Sequence, residues 1–255
     1  MAILLLVCGN LSAGEIYCHA AASLTDALTE IGKLYMQETD ERVFFNFGAS
    51  SLLVRQIEEG APGDLMFSAD EEKMDSLEQK GLLLPSTRKS VLSNTLVIVV
   101  SLDSTLKLKS AKELENFKGR IAIAEYLSVP AGIYARQYLM KIGIWEKIQD
   151  RLVPVQNVRA ALAAVESGNV ETGFVYKTDA QISKRVRIAY EIPQKEGPVI
   201  SYSLAVLKES KDPATAKRFW EYILKPESLK IFQKYGFLTV NSNGLSSAHF
   251  SSGFW

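Results

Sequence analysis

The feature that most limits how this chain can fold is a repeated change from short apolar runs to helix-like patterns, beginning at Glu15. Ile16–Ala22 has the pattern of a strand, and Leu24–Met36 has the pattern of a helix with one apolar face. Thr95–Val100 is an unbroken apolar run, which is typical of a strand buried on both faces. This alternation predicts an α/β fold with mainly parallel sheets.

The same plan continues along the rest of the chain. Further strands are predicted at Arg42–Phe47, Asp64–Ser68, Arg120–Ala124, Val153–Val155, Glu171–Val175 and Ser201–Leu207. Further helices are predicted at Ser51–Glu59, Ala131–Lys147, Arg159–Ser167, 213–224 and 226–234, and an acidic-led helix that ends at Gln79 is predicted after the strand Asp64–Ser68. Two strand–helix sets predict two lobes, the first formed by 15–94 plus 201–240 and the second by 95–200. The chain is expected to cross between the lobes near Ser93–Val97 and Pro198–Tyr202.

The overall charge and the cysteine content exclude several classes of function. Lys+Arg 29 balances Asp+Glu 29, so no bulk positive field favours nucleic acid or anionic lipid. Cys8 and Cys18 provide no disulfide framework, and no Cys/His cluster has zinc spacing. We therefore expect no cofactor and no direct protein–metal ligands.

Both ends of the chain differ from the middle. Residues 1–14 contain an apolar run that ends in Ser12-Ala13-Gly14, which is typical of a signal peptide remnant cleaved before Glu15. This predicts export to the periplasm, although a buried first strand is the alternative and the usual basic segment is missing. Ser, Gly and Asn dominate residues 241–255, so we expect a disordered tail.

Five stretches start a helix directly after a predicted strand, and each offers an uncharged donor at that point. Serines occupy the turn in Ala22–Asp26 and Gly48–Ser51, main-chain N–H groups open helices in Val129–Gly132 and Gln156–Arg159, and a tyrosine ends the strand in Phe174–Asp179. A helix N-terminus leaves N–H groups unpaired and carries a partial positive charge. Several such ends together predict an oxyanion pocket that needs no Lys or Arg. The pattern indicates binding rather than catalysis.

Several short sequences occur in the order and spacing of one known family across residues 15–238. They are Ala20–Leu28, Phe47–Ser51, Arg55–Leu65, Ser68–Asp70, Val129–Tyr134, Asn157–Leu162, Val175–Tyr176, Thr178–Ala180 and Ile231–Phe237. Together they resemble the periplasmic molybdate/tungstate-binding proteins of the molybdenum ABC importers.

The resemblance implies a type II periplasmic-binding-protein fold, with two α/β lobes joined by hinge strands that close on one tetrahedral oxyanion. It implies that the hydroxyls of Ser23 and Ser50, the main-chain N–H groups of Ala131 and Val158, and the hydroxyl of Tyr176 bind molybdate or tungstate. The metal would then be present only as the oxyanion. The implied partners are the permease and ATPase subunits of an ABC importer, and the implied protein is a monomer and not an enzyme.

The residues alone leave other functions open. A carrier of sulfate, thiosulfate or phosphate with the same fold is one alternative, and a hydrolase that uses Ser23 or Ser50 is another. Taken singly, each serine is most often only a helix cap, and Tyr176 only a core aromatic. The sequence does not separate molybdate from tungstate, because the two anions are nearly the same size.

Five polar or charged residues near these motifs are interpreted as structural. His19 is interpreted as a packing residue, since strand rise places it about 13 Å from Ser23. Asp64 and Asp70 are interpreted as turn and cap residues rather than acid–base catalysts. Arg55 and Arg159 are expected to hold neighbouring segments or attract anions at long range, without binding the anion directly.

Overall fold

The structure of the chain, a computed structural model, describes residues 14–240. The predicted signal remnant 1–14, apart from Gly14, and the predicted tail 241–255 lie outside the described residues. Within the described part of the chain, every helix is too short or too polar to cross a lipid bilayer.

Strands and helices alternate along most of the described chain. The strands are β1 (Glu15–Ala21), β2 (Arg42–Gly48), β3 (Leu65–Ser68), β4 (Lys89–Ser93), β5 (Leu96–Ser101), β6 (Ile121–Ala124), β7 (Leu152–Val155), β8 (Thr172–Tyr176), β9 (Val186–Glu191), β10 (Ser201–Val206) and β11 (Leu238–Thr239). The helices are α1 (Thr25–Glu38), α2 (Ser50–Glu58), α3 (Glu71–Gln79), α4 (Pro130–Lys141), α5 (Trp145–Ile148), α6 (Val158–Glu166), α7 (Lys177–Ile182), α8 (Pro213–Ile223) and α9 (Pro226–Lys234). Short 3₁₀ turns lie at Ala22–Leu24, Ala111–Glu115 and Gln149–Arg151.

The strands form two separate sheets. The first is a 6-stranded sheet in the order β11-β4-β10-β3-β1-β2, and the second is a 5-stranded sheet in the order β7-β6-β8-β5-β9. The pairs β1–β2, β1–β3, β6–β7 and β6–β8 are parallel, whereas every pair that involves β5 or β10 is antiparallel. The expectation of mainly parallel sheets is therefore wrong. The strands that carry the chain from one sheet to the other enter without a helical crossover, and so they pair antiparallel.

The chain passes between the two sheets at two places. It leaves β4 at Ser93 and enters β5 at Leu96, and it leaves β9 at Glu191 and returns at Ser201 in β10. Side chains from both sheets belong to one continuous buried cluster. Next to the first crossing, the rings of Tyr176 and Tyr202 meet edge to face with their centroids 6.0 Å apart. The two sheets are therefore joined by packing as well as by the chain.

The predicted helix Ala131–Lys147 is wrong in its length. The helix α4 ends at Lys141, and Gly143 then adopts a φ of 74° before α5 begins at Trp145. Glycine reaches this left-handed conformation without steric cost and commonly ends a helix in this way. The apolar pattern continues across the break, which is why periodicity alone does not reveal it.

A close approach between α4 and β6 fixes the position of the α4 N-terminus. A Cβ atom on Gly132 would lie 2.1 Å from the carbonyl oxygen of Ala124 and 2.6 Å from that of Glu125. Both atoms belong to the backbone at the carboxyl end of β6, so neither can move aside cheaply. Only glycine lets the first turn of α4 lie this close to the end of the strand.

We expect Gly132→Ala to lower the free energy of unfolding by about 1–3 kcal/mol, because the added methyl group forces α4 away from β6. The measurement is urea unfolding without added ligand. Gly48→Ala is the matched control, since its Cβ would meet only the side chain of Leu53, at 3.4 Å. Equal loss of stability in both variants would contradict the close packing described here.

Candidate functional site

A small cavity lies where the carboxyl ends of strands from both sheets face each other. It is lined by Ala21, Ala22, Ser23, Gly48, Ala49, Ser50, Ala69, Val129, Pro130, Ala131, Asn157, Val158 and Tyr176. The cavity has a volume of about 20 Å³, which is enough to hold a water molecule. None of these described lining residues carries a charged side chain. The cavity therefore suits a compact ligand held by neutral groups.

Three helices point their N-termini at this cavity. The first main-chain hydrogen bonds run from Leu53 N–H to Ala49 O in α2, from Ile133 N–H to Val129 O in α4, and from Ala161 N–H to Asn157 O in α6. The N–H groups that precede these donors have no acceptor within their own helix. They include those of Ser50 in α2, of Ala131 and Gly132 in α4, and of Val158 in α6. Together with the helix dipoles, they make the cavity attractive to an anion.

Ser50 and Ser23 contribute hydroxyl groups that neighbouring residues already orient. The Ser50 hydroxyl oxygen accepts a hydrogen bond from Ala69 N–H at 3.0 Å, so its own proton is free to point elsewhere. The Ser23 hydroxyl lies 2.9 Å from the hydroxyl of Tyr202. Both serines are buried, with exposed fractions of 1% for Ser50 and 3% for Ser23. Buried hydroxyls with a spare proton are suited to donate to a ligand.

The hydroxyl of Tyr176 is the least satisfied polar group that lines the cavity. Tyr176 is 1% exposed, and its oxygen has no hydrogen-bond partner within residues 14–240. Burial raises the pKa of this hydroxyl well above its ordinary value, so the group stays protonated and can donate. An unpaired buried hydroxyl costs about 1–3 kcal/mol, which a bound acceptor would recover.

The structure brings all the predicted binding residues together. Ser23, Ser50, Ala131, Val158 and Tyr176 line the one cavity, although their role as ligands stays a prediction.

The sequence interpretation missed Ala69, Tyr202 and Asn94, which support the serines or line the cavity. Ala69 lies within the sequence Ser68–Asp70, which follows β3, so its position was a usable signal. Tyr202 lies 179 residues after Ser23, and no local pattern connects the two.

The residues interpreted as structural lie outside the cavity and are occupied by other partners. The ring of His19 contacts the carbonyl oxygen of Pro62 at 3.0 Å, which confirms its packing role. Asp70 accepts from Glu72 N–H at 2.9 Å and caps α3, and Asp64 accepts from Tyr17 N–H at 2.7 Å. Residues 14–240 contain no group of three or more His, Cys, Asp or Glu arranged to hold a metal ion.

Arg159 connects three helices immediately behind the cavity. Its Nη2 atom lies 2.6 Å from Oδ2 of Asp26 in α1, and its Nε atom lies 2.6 Å from Oδ1 of Asp179 in α7. Asp179 also accepts from the main-chain N–H of Tyr176 at 3.3 Å. The ion pairs therefore hold α1, α6 and the end of β8 together, which agrees with the expected supporting role of Arg159.

Asp179 depends on this arginine for its charge. Burial raises the pKa of Asp179 to about 6, and the neighbouring Arg159 opposes that rise. The pKa of Asp179 is therefore higher in the folded protein than in the unfolded chain. Protonation of Asp179 stabilises the folded protein at low pH, and this contribution to the free energy of unfolding is lost as the pH rises through about 6. Without Arg159, the pKa of Asp179 would rise further, and the loss would extend to higher pH.

We expect Arg159→Met to lower the free energy of unfolding by about 3–5 kcal/mol at pH 8, because it leaves the Asp179 carboxylate buried without a partner. The difference from the unchanged protein should narrow at about pH 5, where Asp179 binds a proton in both proteins. Urea unfolding at several pH values measures this.

Adding Asp179→Asn to the Arg159→Met variant should recover part of the lost stability. Arg55→Met is the control, since Arg55 forms an exposed i,i+4 pair with Glu59 at 2.8 Å and should cost less than about 1 kcal/mol. A pH-independent loss in Arg159→Met would show that packing, and not charge, explains its effect.

Comparison with known proteins places this chain in a family. The model of the bacterial extracellular solute-binding protein family matches residues 16–238. The molybdate-binding protein ModA of Escherichia coli (strain K12) is 39% identical over 238 residues, which cover 91% of this chain and 92% of that protein.

Solved structures share the fold. A substrate-binding domain from Clostridium difficile, provisionally assigned to a molybdenum ABC transporter, is 36% identical with a TM-score of 0.69, covering 89% of this chain and 100% of that one. The sulfate-binding protein SubI of Mycobacterium tuberculosis H37Rv, with a TM-score of 0.78 and 17% identity, covers 90% of this chain and 88% of that one and shows the fold alone. The predicted two-lobe type II α/β fold is confirmed. The chain belongs to the family of bacterial extracellular solute-binding proteins and, within it, to the molybdate-binding proteins.

Proposed function

We propose that this protein binds molybdate, and also tungstate, in the periplasm and delivers it to the permease and ATPase subunits of an ABC importer. The observation that carries the proposal is the cavity itself, in which neutral donors from both sheets converge and no described lining residue is charged. The names of the relatives support the choice of anion and importer.

The proposed ligands are the hydroxyls of Ser23, Ser50 and Tyr176 and the main-chain N–H groups of Ala131 and Val158. A hydrogen bond to a charged acceptor contributes roughly 1.5–3 kcal/mol, so donors of this number support tight binding after the costs of closure. A lower dielectric inside the closed cavity strengthens each bond. Molybdate is fully ionised at neutral pH, and therefore the site needs no acceptor for a ligand proton.

Size and protonation explain the proposed selectivity. Donors fixed around a larger tetrahedral anion lie too far from the oxygens of sulfate. Protonated phosphate oxygens require acceptors, and the proposed ligands donate. A carrier of sulfate, thiosulfate or phosphate is the second candidate, since a sulfate-binding protein shares the fold.

The proposal includes a two-lobe mechanism without catalysis. The lobes are 15–94 plus 201–240 and 95–200, and their closure around the anion gives a two-state signal that a permease can recognise. The protein is proposed to act as a monomer, without a cofactor. A serine-dependent hydrolase is disfavoured because the ring of His19, the nearest candidate base in the sequence, contacts Pro62 O and the side chain of Asn46 at 3.0 Å each.

Calorimetric titration of ligand-free protein with molybdate, tungstate, sulfate and phosphate tests the proposal. We expect both molybdate and tungstate to bind, and sulfate and phosphate to bind at least about 100-fold more weakly than molybdate, a difference of about 2.7 kcal/mol. Sulfate binding as tight as molybdate binding would favour the second candidate. Hydrolysis of a model ester that Ser23→Ala abolishes would favour an enzyme.

We expect Ser50→Ala to weaken molybdate binding by about 10–100-fold, because it removes a donor to a charged ligand. It should also lower stability by about 1–3 kcal/mol, since Ala69 N–H loses its acceptor in a buried position. Ser51→Ala is the matched control, because this half-buried neighbour does not line the cavity. If folded Ser50→Ala binds molybdate as tightly as the unchanged protein, Ser50 is not a ligand.

A further inference from the structure

Behind the Ser23 hydroxyl lies a buried chain of hydrogen-bonded polar groups, of which only Ser23 is a proposed ligand. The chain runs from Asn94, in the connection between β4 and β5, to Tyr202 in β10 and then to Ser23. Their exposed fractions are 4% for Asn94, 0% for Tyr202 and 3% for Ser23. In such surroundings, each polar atom needs a partner, and the direction of every hydrogen bond matters.

The direction of the first bond is fixed by the backbone. The side-chain oxygen of Asn94 accepts from Thr95 N–H at 2.9 Å, and a main-chain N–H can only donate. The amide nitrogen of Asn94 must therefore face the other way. It donates to Tyr202 Oη at 3.2 Å and to the hydroxyl oxygen of Thr178 at 2.9 Å.

The second bond takes its direction from the first. Burial raises the pKa of Tyr202 far above its ordinary value, so this hydroxyl keeps its proton. Within residues 14–240, Ser23 Oγ at 2.9 Å is the one acceptor within reach of that proton. If Ser23 donated to Tyr202 instead, the Tyr202 proton would be buried without a partner, at a cost in binding and stability.

The Ser23 hydroxyl, the last group in this series of hydrogen bonds, can then act only as a donor to the cavity. Because Ser23 Oγ accepts from Tyr202, its own proton is free to point into the cavity that Ser23 lines. Hydrogen bonds that run in one direction also polarise each other and strengthen the last donor. We propose that Tyr202, oriented by Asn94, is a positioning residue that makes the Ser23 hydroxyl a donor to the bound oxyanion. This inference rests on the proposed function and adds to it the group that sets the direction of one ligand.

Tyr202→Phe tests the inference, since it removes one oxygen and keeps the ring. We expect molybdate binding to weaken about 5–10-fold, because Ser23 is no longer held as a donor. Tyr138→Phe is the matched control, because Tyr138 is also a buried tyrosine, with 3% exposed, and does not line the cavity. Thermal unfolding without ligand checks that each variant is folded.

Two double-mutant cycles separate positioning from a general structural effect. Adding Tyr202→Phe to Ser23→Ala should cause no further loss of affinity, because Tyr202 acts through the removed hydroxyl. Adding Tyr202→Phe to Ser50→Ala should weaken molybdate binding by a further 5–10-fold, as it does in the unchanged protein, which is about the effect of one hydrogen bond. Asn94→Asp, which cannot donate to Tyr202 when ionised, gives the same comparison if Tyr202→Phe does not fold.

The outcomes distinguish the inference from the function on which it rests. Unchanged affinity in Tyr202→Phe, or an equal additional loss in both serine backgrounds, would overturn the positioning role while molybdate binding stands. If the unchanged protein binds none of molybdate, tungstate, sulfate and phosphate, the proposed function fails, and the inference fails with it. If the protein binds another of these anions in place of molybdate, both double-mutant cycles are measured with that anion. Tyr202→Phe must then still cause no further loss of affinity in Ser23→Ala and a full loss in Ser50→Ala.

Discussion

An ion with two negative charges can be buried without a positive side chain only if many weak dipoles face it at once. The arrangement of α2, α4 and α6 around one cavity meets this condition, and much of the remaining structure serves to hold these helix starts in place. The close contact of Gly132 with the end of β6 places α4, and the chain crosses between the two sheets at Asn94 and before Ser201, so that strand ends from both sheets line one cavity. The fold therefore acts as a frame for main-chain N–H groups.

Charge is present near the cavity but is kept one layer behind it. Arg159 is neutralised by Asp26 and Asp179, and these ion pairs connect α6 with α1 and α7. Its Nη2 atom also donates to the main-chain oxygen of Ser23 at 3.4 Å, so the guanidinium supports the lining without being part of it. A free guanidinium in the lining would attract any small anion by charge alone and would reduce the dependence on geometry. With neutral donors only, recognition depends on where the oxygens of the ligand lie. This division between a neutral lining and a charged support is consistent with selectivity among dianions.

Much of the fold was predictable from the sequence because fully buried strands and amphipathic helices leave strong local patterns. The run Thr95–Val100 and the apolar face of Leu24–Met36 correspond closely to β5 and α1. The strands β4, β9 and β11 escaped prediction because they are only partly buried, so their sequences contain no continuous apolar run.

The site was predictable only in part. Serines at helix starts are visible in a sequence, whereas the main-chain donors at Ala131 and Val158 rested on the family resemblance, since their side chains carry no signal. Tyr202 and Asn94 could not be predicted, because their contacts with Ser23 and Thr178 exist only after the chain has crossed twice between the sheets.

The main-chain N–H groups at Ala131 and Val158 have one further consequence, which concerns evolution. A peptide N–H survives every replacement of its side chain except proline, so substitutions at Ala131 and Val158 would alter the shape of the proposed site and leave these two N–H groups in place. A lineage that needed a different anion would have to shift whole helices by fractions of an ångström, and preference would drift through packing before it changed through chemistry.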